Sequence, residues 1–375
     1  MNRISPGVVP APVLRLPWPA MLLILALGGF GALMLYSAAG GKLQPWSLSH
    51  GIRFGAFFTV ALAMSRIPMD WYRIAAFPAY VVTLALILLV EAIGHVAGGA
   101  QSWLDLGFIR LQPSELAKLT LVLALARFYE LLPSGELRKF AAIWPAGIII
   151  LLPAALVLVQ PDLGTAMMII AGGGILLFLA GLPLRLFIGA GFAAAIAIPL
   201  AVNFGMQEYQ RKRVLIFLNP EDDPLGAGYH ITQSKIAIGS GGPFGKGLLN
   251  GTQVHLDYLP EGHTDFVFAL VAEEFGLVGG VALIAGLIAL CLWAISVGVA
   301  ARSKFERLTA AGIGAMIFLY IAINLLMVMG LAPVTGIPLP LISHGGSSMM
   351  TVMIALGIVM AIDRRNRQAT SASGW

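Results

Sequence analysis

From Trp18 to Ser37 the chain runs for twenty residues without a charged side chain, and from Val278 to Ala301 for twenty-four. Such runs suit a bilayer. About 20 apolar residues wound as an α-helix cross the hydrocarbon core with every backbone N–H and C=O satisfied inside the segment. The pattern recurs along the whole chain. Only 11% of the residues are charged and 58% are hydrophobic, against roughly 25% charged in a soluble domain. The expected fold is an all-α, polytopic transmembrane helical bundle of about ten spans, at roughly 18–38, 48–66, 72–94, 112–131, 141–160, 163–181, 184–204, 265–299, 308–331 and 345–362. The eighth is too long for one straight crossing, so Asp265 to Gly276 is expected to lie partly at the interface. The first run follows a Pro-rich head with no convincing small-residue cleavage site, which reads as a retained helix. The one cysteine, Cys291, sits inside an apolar run, so no disulfide forms within the chain.

The basic residues fall on alternate ends of these segments. One set of ends carries Arg3, Arg15, Arg66, Arg73, Arg127, Arg138, Lys139, Arg185, Arg302, Lys304, Arg307, Arg364, Arg365 and Arg367; the other carries Lys42, Arg53, Arg110 and Lys118. The excess of Lys and Arg marks the cytoplasmic side, so both termini are expected there. The net charge of +5 therefore reads as membrane orientation and not as a nucleic-acid footprint. The chain is expected to form a single membrane domain over residues 1–375, with one polar external loop of about 60 residues, 205–264, between spans seven and eight. ATP is absent on that side, and the chain has no Walker-type phosphate loop, so chemistry there must be driven by the substrate's own leaving group.

Ionisable groups at membrane depth are costly and mark candidate sites. Glu115 and Lys118 share one face of the fourth span at i and i+3. They form either a self-neutralising pair or a site at which Lys118 meets an anionic group. Trp103 and Arg110 precede them, Trp103 reading by composition as an interfacial aromatic. Arg53 lies in the outer turn of the second span and can snorkel to the headgroups. Asp162, in Gln160-Pro161-Asp162-Leu163-Gly164-Thr165, suits a helix N-cap. Arg211, Lys212 and Arg213 form a basic cluster able to face headgroups or a diphosphate. Asp257, Glu261 and Asp265 are spaced by four, and Asp265 abuts Phe266-Val267-Phe268-Ala269-Leu270. A carboxylate against an apolar wall gains basicity; the competing role for Asp265 is again an N-cap.

These segments resemble the SEDS family (shape, elongation, division and sporulation) over nearly the whole chain. The motifs are Gln112-Pro113-Ser114-Glu115 with Ala117-Lys118, Gln160 to Thr165, Asp223 to His230 continuing through Ser234 to Gly242, Gly251-Thr252-Gln253, Leu259 to Phe266, and Pro338 to Ser348. Gly251-Thr252-Gln253 followed by Leu256 resembles the elongation branch more than the division branch. His344 departs from the Tyr more common there and leaves the Gly-Gly-Ser turn intact.

The resemblance implies a multi-pass protein of the bacterial cytoplasmic membrane. Such a protein polymerises lipid II into peptidoglycan strands on the outer face, by inverting single displacement with loss of undecaprenyl diphosphate. It implies a catalytic role for Asp265 and functional roles for Trp103 and Lys118. Candidate substrate contacts are Lys118, Glu115, Trp103, Arg53, Arg110, Gln112, Asp162, Arg211, Arg213, Glu261 and His263. Expected partners are lipid II and the growing glycan, a class B penicillin-binding protein as transpeptidase, and other membrane proteins of the elongation complex; no nucleic acid is expected. No organic cofactor is expected, nor a protein metal cage. A divalent cation, Mg or Mn, is expected only as a guest of the substrate diphosphate. Two rival readings use the same residues: a flippase or transporter for lipid-linked sugars, which needs a polar path reaching the cytoplasm, and a scaffold that only recruits the transpeptidase.

Overall fold

The computed structural model describes residues 16–97, 100–105, 107, 110–133, 135–136, 140–200, 211, 215–217, 219, 223, 226–256, 258–259 and 261–372. Among the described residues seven helices precede the long loop: α1 (Trp18–Ala38), α2 (Ser47–Met64), α3 (Met69–Ile93), α4 (Pro113–Leu131), α5 (Phe140–Val159), α6 (Leu163–Leu179) and α7 (Leu184–Leu200). Three follow it: α10 (Val267–Ala300), α11 (Lys304–Val328) and α12 (Gly346–Ala372); the loop itself contributes α8 (Ala227–Ser240) and the one-turn α9 (Thr252–His255). Each of the ten expected segments contains a helix among its described residues. By length and composition, six of the described helices suffice to cross a membrane (α1, α3, α5, α10, α11 and α12), and α6 and α7 are shorter apolar helices.

Large apolar side chains point outward from these helices, for example Leu22, Ile74, Val81, Leu151, Phe192 and Val299. Outward-facing apolar surface suits lipid. The interior is built around α4, which is buried on nearly every side from Pro113 to Ala126. It packs against α3, α6 and α11. Small residues permit the closest approaches. A Cβ on Gly31 of α1 would fall 2.7 Å from the Leu341 carbonyl, and one on Gly312 of α11 would fall 2.3 Å from a methyl of Leu176.

A feature not anticipated from sequence lies between α3 and α4. Strands β1 (His95–Ala97), β2 (Ala100–Asp105) and β3 (Arg110–Leu111) form an antiparallel three-stranded sheet in the order β1-β2-β3. It pairs His95 with Trp103 and Asp105 with Arg110, and so fixes the approach to α4.

The over-long eighth segment is broken, as its length required. Gly276 interrupts α10 at φ 65°, ψ −161°, a conformation glycine adopts without steric cost. The loop after α8 fills the break. Lys246 N–H and Gly247 N–H donate to the carbonyls of Glu273 and Glu274, at 3.0 and 2.9 Å, while Leu277 N–H donates to the Gly242 carbonyl at 2.9 Å. A Cβ on Gly276 would lie 2.3 Å from the Gly245 nitrogen. Two buried carboxylates secure the same loop. Glu273 Oε1 accepts from Lys246 Nζ (2.6 Å), Thr252 N–H (2.8 Å) and Thr252 Oγ1 (2.9 Å). Glu274 Oε1 accepts from Ser37 Oγ (2.5 Å) and Leu249 N–H (3.1 Å). The Gly251-Thr252-Gln253 motif is thus an anchor.

At the far end of α4 a charge network joins four helices. Glu306, 2% exposed, accepts from Arg73 of α3 at 3.2 Å and Arg365 of α12 at 2.8 Å. Arg73 also reaches Asp70 (2.7 Å) and Glu130 of α4 (3.3 Å). Ser303 caps α11 by accepting from Glu306 N–H, which places Glu306 in the first turn.

Candidate active site

Pro113 opens α4 at a position where its missing N–H costs nothing. The i,i+3 spacing then brings Lys118 Nζ within 2.5 Å of Glu115 Oε1, with Lys118 only 2% exposed. Tyr320 of α11 completes the cluster. Its hydroxyl donates to Glu115 Oε2, and the Lys118 ammonium sits 4.2 Å from its ring centroid. A buried ammonium needs such compensation. The pair reading of Glu115 and Lys118 is therefore correct as geometry, with a third member the sequence did not announce.

Gln112 ties this cluster to its neighbours. Its backbone N–H donates to Ser347 Oγ at 3.0 Å, and that hydroxyl donates to the Arg110 carbonyl at 2.9 Å. Its Nε2 donates to Asp162 Oδ2 at 3.2 Å. Asp162 caps α6, accepting from Thr165 N–H at 2.9 Å, as its sequence context suggested.

Asp265 stands at the end of a tight turn just before α10. Gly262 N–H donates to the Leu259 carbonyl, Thr264 and Phe266 N–H both donate to the Glu261 carbonyl, and Thr264 Oγ1 donates to Glu261 Oε2 at 2.6 Å. The N-cap position of α10 is Phe266, without a side-chain cap bond, so the N-cap role for Asp265 is not realised. Asn324 of α11 holds the Asp265 backbone instead: Nδ2 donates to its carbonyl at 2.7 Å and to the Ile337 carbonyl at 2.8 Å. Among the described residues nothing donates to the Asp265 carboxylate, and Gly336 (φ 71°) lies beside its Oδ2. Burial, reinforced by nearby Glu261, pushes Asp265 up to about 7. Such a carboxylate is a matched proton acceptor at neutral pH.

A third group faces the same side. His344 N–H donates to the His263 carbonyl at 3.0 Å, and the His263 ring stacks on Trp46 at 4.1 Å. His344 Nε2 lies 3.0 Å from Ser49 Oγ and 3.4 Å from Arg53 Nη1. Burial first, then Arg53 and His263, hold His344 down at about 4, so its ring is neutral at pH 7.

Of the residues expected from sequence, Glu115, Lys118, Gln112, Asp162 and Arg110 are thus linked through α4 and Ser347. Asp265, Glu261 and His263 share one turn, and Arg53 reaches that turn through His344. Trp103 is half-buried on β2, and Arg110 is exposed beside Asp105 at 3.5 Å. Arg211 is exposed, with no hydrogen bond or ion pair to these residues among the described ones; Arg213 lies outside the described residues. Among the described residues no three His, Cys, Asp or Glu side chains are disposed to hold a metal. Sequence reasoning missed Tyr320 and Asn324. Their available signal was two polar residues four apart inside an apolar helix.

The chain matches the FtsW/RodA/SpoVE family, described as cell cycle proteins, over residues 18–368. It is 43% identical over 355 residues to the peptidoglycan glycosyltransferase MrdB of Escherichia coli K12, covering 94% of this chain and 95% of the relative. It is 33% identical over 423 residues to the peptidoglycan glycosyltransferase RodA of Treponema pallidum, covering 92% and 96%. Among solved structures, a chain of a peptidoglycan synthase complex that coordinates polymerization and crosslinking superposes with a TM-score of 0.82 at 32% identity, covering 94% of this chain and 99% of that one. The rod shape determining protein RodA of Thermus thermophilus superposes with a TM-score of 0.71 at 29% identity, covering 94% and 97%. The chain is a multi-pass membrane protein and belongs to the FtsW/RodA/SpoVE, or SEDS, family of cell cycle proteins.

Proposed function

We propose that this chain is a peptidoglycan glycosyltransferase of cell elongation, polymerising lipid II on the outer face of the bacterial cytoplasmic membrane. The observation that carries the reading is Asp265: a carboxylate with no donor among the described residues, raised to about 7, on a turn whose backbone is held from the bundle interior. A capping or ion-pairing aspartate would be engaged and acidic.

In the reaction, the 4-hydroxyl of the acceptor's GlcNAc attacks the anomeric carbon of the donor chain's MurNAc. The bond from that carbon to the diphosphate oxygen breaks, the hydroxyl proton passes to Asp265, and undecaprenyl diphosphate departs. Inversion in one step gives a β-linkage from an α-linked donor. Charge accumulating on the diphosphate calls for cations; Lys118, Arg53 and Arg110 are assigned that task, with Glu115, Gln112 and Asp162 setting the Lys118 end. Trp103, Glu261 and His263 border the sugar path. No protein-held metal is assigned; a divalent cation, Mg or Mn, would be held mainly by the substrate's diphosphate oxygens. A class B penicillin-binding protein is the assigned transpeptidase partner, alongside other elongation-complex membrane proteins.

The test is the purified protein, alone and with its transpeptidase, in detergent with fluorescent lipid II. Moenomycin-insensitive glycan chains are expected. Transfer of lipid II between vesicle leaflets without glycan would replace this reading with a flippase.

A further inference from the structure

One face of α11 touches both halves of the candidate site. Tyr320 and Asn324 are four residues apart on that helix, which stacks them one turn, roughly 6 Å, along its axis. Tyr320 grips the α4 cluster, bonding Glu115 and lying against the Lys118 ammonium. Asn324 grips the opposite partner. Both hydrogens of its amide are spent on backbone carbonyls, those of Asp265 and Ile337. These carbonyls belong to the two irregular segments that frame the Asp265 carboxylate, the 261–266 turn and the stretch before α12 that carries Gly336.

The cost of this arrangement argues against a packing role. Both residues are fully buried. Asn324 Oδ1 has no hydrogen-bond partner among the described residues, which is costly for a desolvated acceptor. Leucine fills a similar volume without that cost. What leucine lacks is a fork of two donors, which is the part of Asn324 the structure uses.

We propose that Tyr320 and Asn324 are positioning residues: one face of α11 fixes the separation between the Lys118 ammonium, at the leaving diphosphate, and the Asp265 carboxylate, at the attacking hydroxyl. The inference rests on the roles given above to Lys118 and Asp265. Chemistry in line with a breaking bond is sensitive to such spacing; a displacement of about 1 Å can cost about 10²-fold. The groups placed about Asp265 are Glu261 from its own turn, Gly336 from the segment before α12, and Asn324 from α11.

The experiment measures kcat, KM for lipid II and the pH profile of Asn324→Leu, Asn324→Asp and Tyr320→Phe, with Asp265→Asn alongside and thermal melting to count folded protein. Asn324→Leu is expected to lower kcat about 10²-fold. The acid limb of its profile should move to lower pH, because a released turn opens Asp265 to water. Asn324→Asp, protonated between two carbonyls and able to donate once, should retain more activity than the leucine variant. Tyr320→Phe keeps the ring and loses the hydroxyl, so KM should rise several-fold with the limb unmoved. Wild-type kinetics in Asn324→Leu, or a loss equal to its unfolded fraction with the limb unmoved, overturns the Asn324 assignment. If Asn324→Leu does not insert, Asn324→Asp carries the same test: an unmoved limb and a loss equal to its unfolded fraction overturn it. An unchanged KM in Tyr320→Phe overturns the Tyr320 assignment. Full activity in Asp265→Asn would instead remove the base itself, a different failure.

Discussion

The two ends of α4 use charge in opposite ways. At the Arg-rich end every carboxylate is spoken for: Glu306 is shared by Arg73 and Arg365, Glu130 by Arg73 and Arg127, and Asp70 lies against Arg73. At the other end Asp265 is left without a donor among the described residues. Arg53 is exposed beside the His344 ring, Lys118 is enclosed by Glu115 and Tyr320, and Lys246 is held by Glu273. Paired charges at helix ends tie elements together, whereas a partly desolvated carboxylate kept without a partner costs stability and gains basicity. The network at one end ties helices together, while Asp265 at the other is left out of any such tie among the described residues.

The largest expected effect comes from removing the unpartnered carboxylate. Asp265→Asn keeps the shape and cannot take a proton, so polymerisation should fall ~10²–10⁴-fold, the same as in Asp265→Ala, with insertion and partner binding intact. A glycan gel at near-wild-type intensity for the Asn variant would erase the contrast between the two ends. In the wild-type enzyme, activity should drop as pH falls through about 7, because the base becomes protonated.

Lys118→Ala comes next. It should abolish or greatly reduce synthesis in folded protein, with Lys118→Arg only partly active because a planar fork does not replace a compact ammonium. Replacing Glu115 and Lys118 together by apolar residues should not restore glycan formation. Restoration would move the pair to the structural class.

At the opposite end the readout changes from rate to stability. Glu306→Gln leaves one carbonyl to serve two arginines and should cost about 1–3 kcal/mol, while activity per folded molecule stays at the wild-type level. A melting temperature equal to wild type would show the network to be ornamental.

The smallest effect sharpens the comparison from the other side. The folded state raises Asp265 to about 7, so it holds a proton that the unfolded chain releases near the ordinary carboxylate value. Stability from this group is lost as pH rises from about 4 to about 7. Asp265→Asn should match wild type in melting temperature below pH 4 and melt higher above pH 7. An Asn variant that melts lower at pH 8 would mean that the carboxylate has a structural partner after all.

Much of this was legible in the sequence. Apolar runs of spanning length declare themselves one residue at a time, and an eighth run of excessive length with Gly276 inside it announced a break. Asp162 was readable as a cap because capping is local, and the Glu115–Lys118 pair because i,i+3 geometry is local too. What escaped depends on contacts between distant segments. Nothing around Glu273 says that its carboxylate gathers Lys246 and Thr252, and nothing around Asn324 says that it reaches residue 265. The sheet between α3 and α4 had a signal in Gly98-Gly99 between short apolar stretches, outweighed by the helical pattern on both sides. The competing cap role for Asp265 could be decided only by seeing that Phe266 occupies the cap position.

The break at Gly276 divides α10 between two solvents. Before it, Val267 to Glu274 are buried in protein; after it, Leu277, Val278 and Val281 face outward. A continuous helix would carry the Asp265 turn along whenever the bilayer thickened, thinned or tilted its spans, since spanning helices adjust to hydrocarbon thickness as rigid rods. Here only the Leu277–Ala300 portion need follow the lipid. The reacting end is moored to Lys246, Gly247 and α11 instead, so membranes that differ by several ångströms in thickness should present substrate to the same geometry.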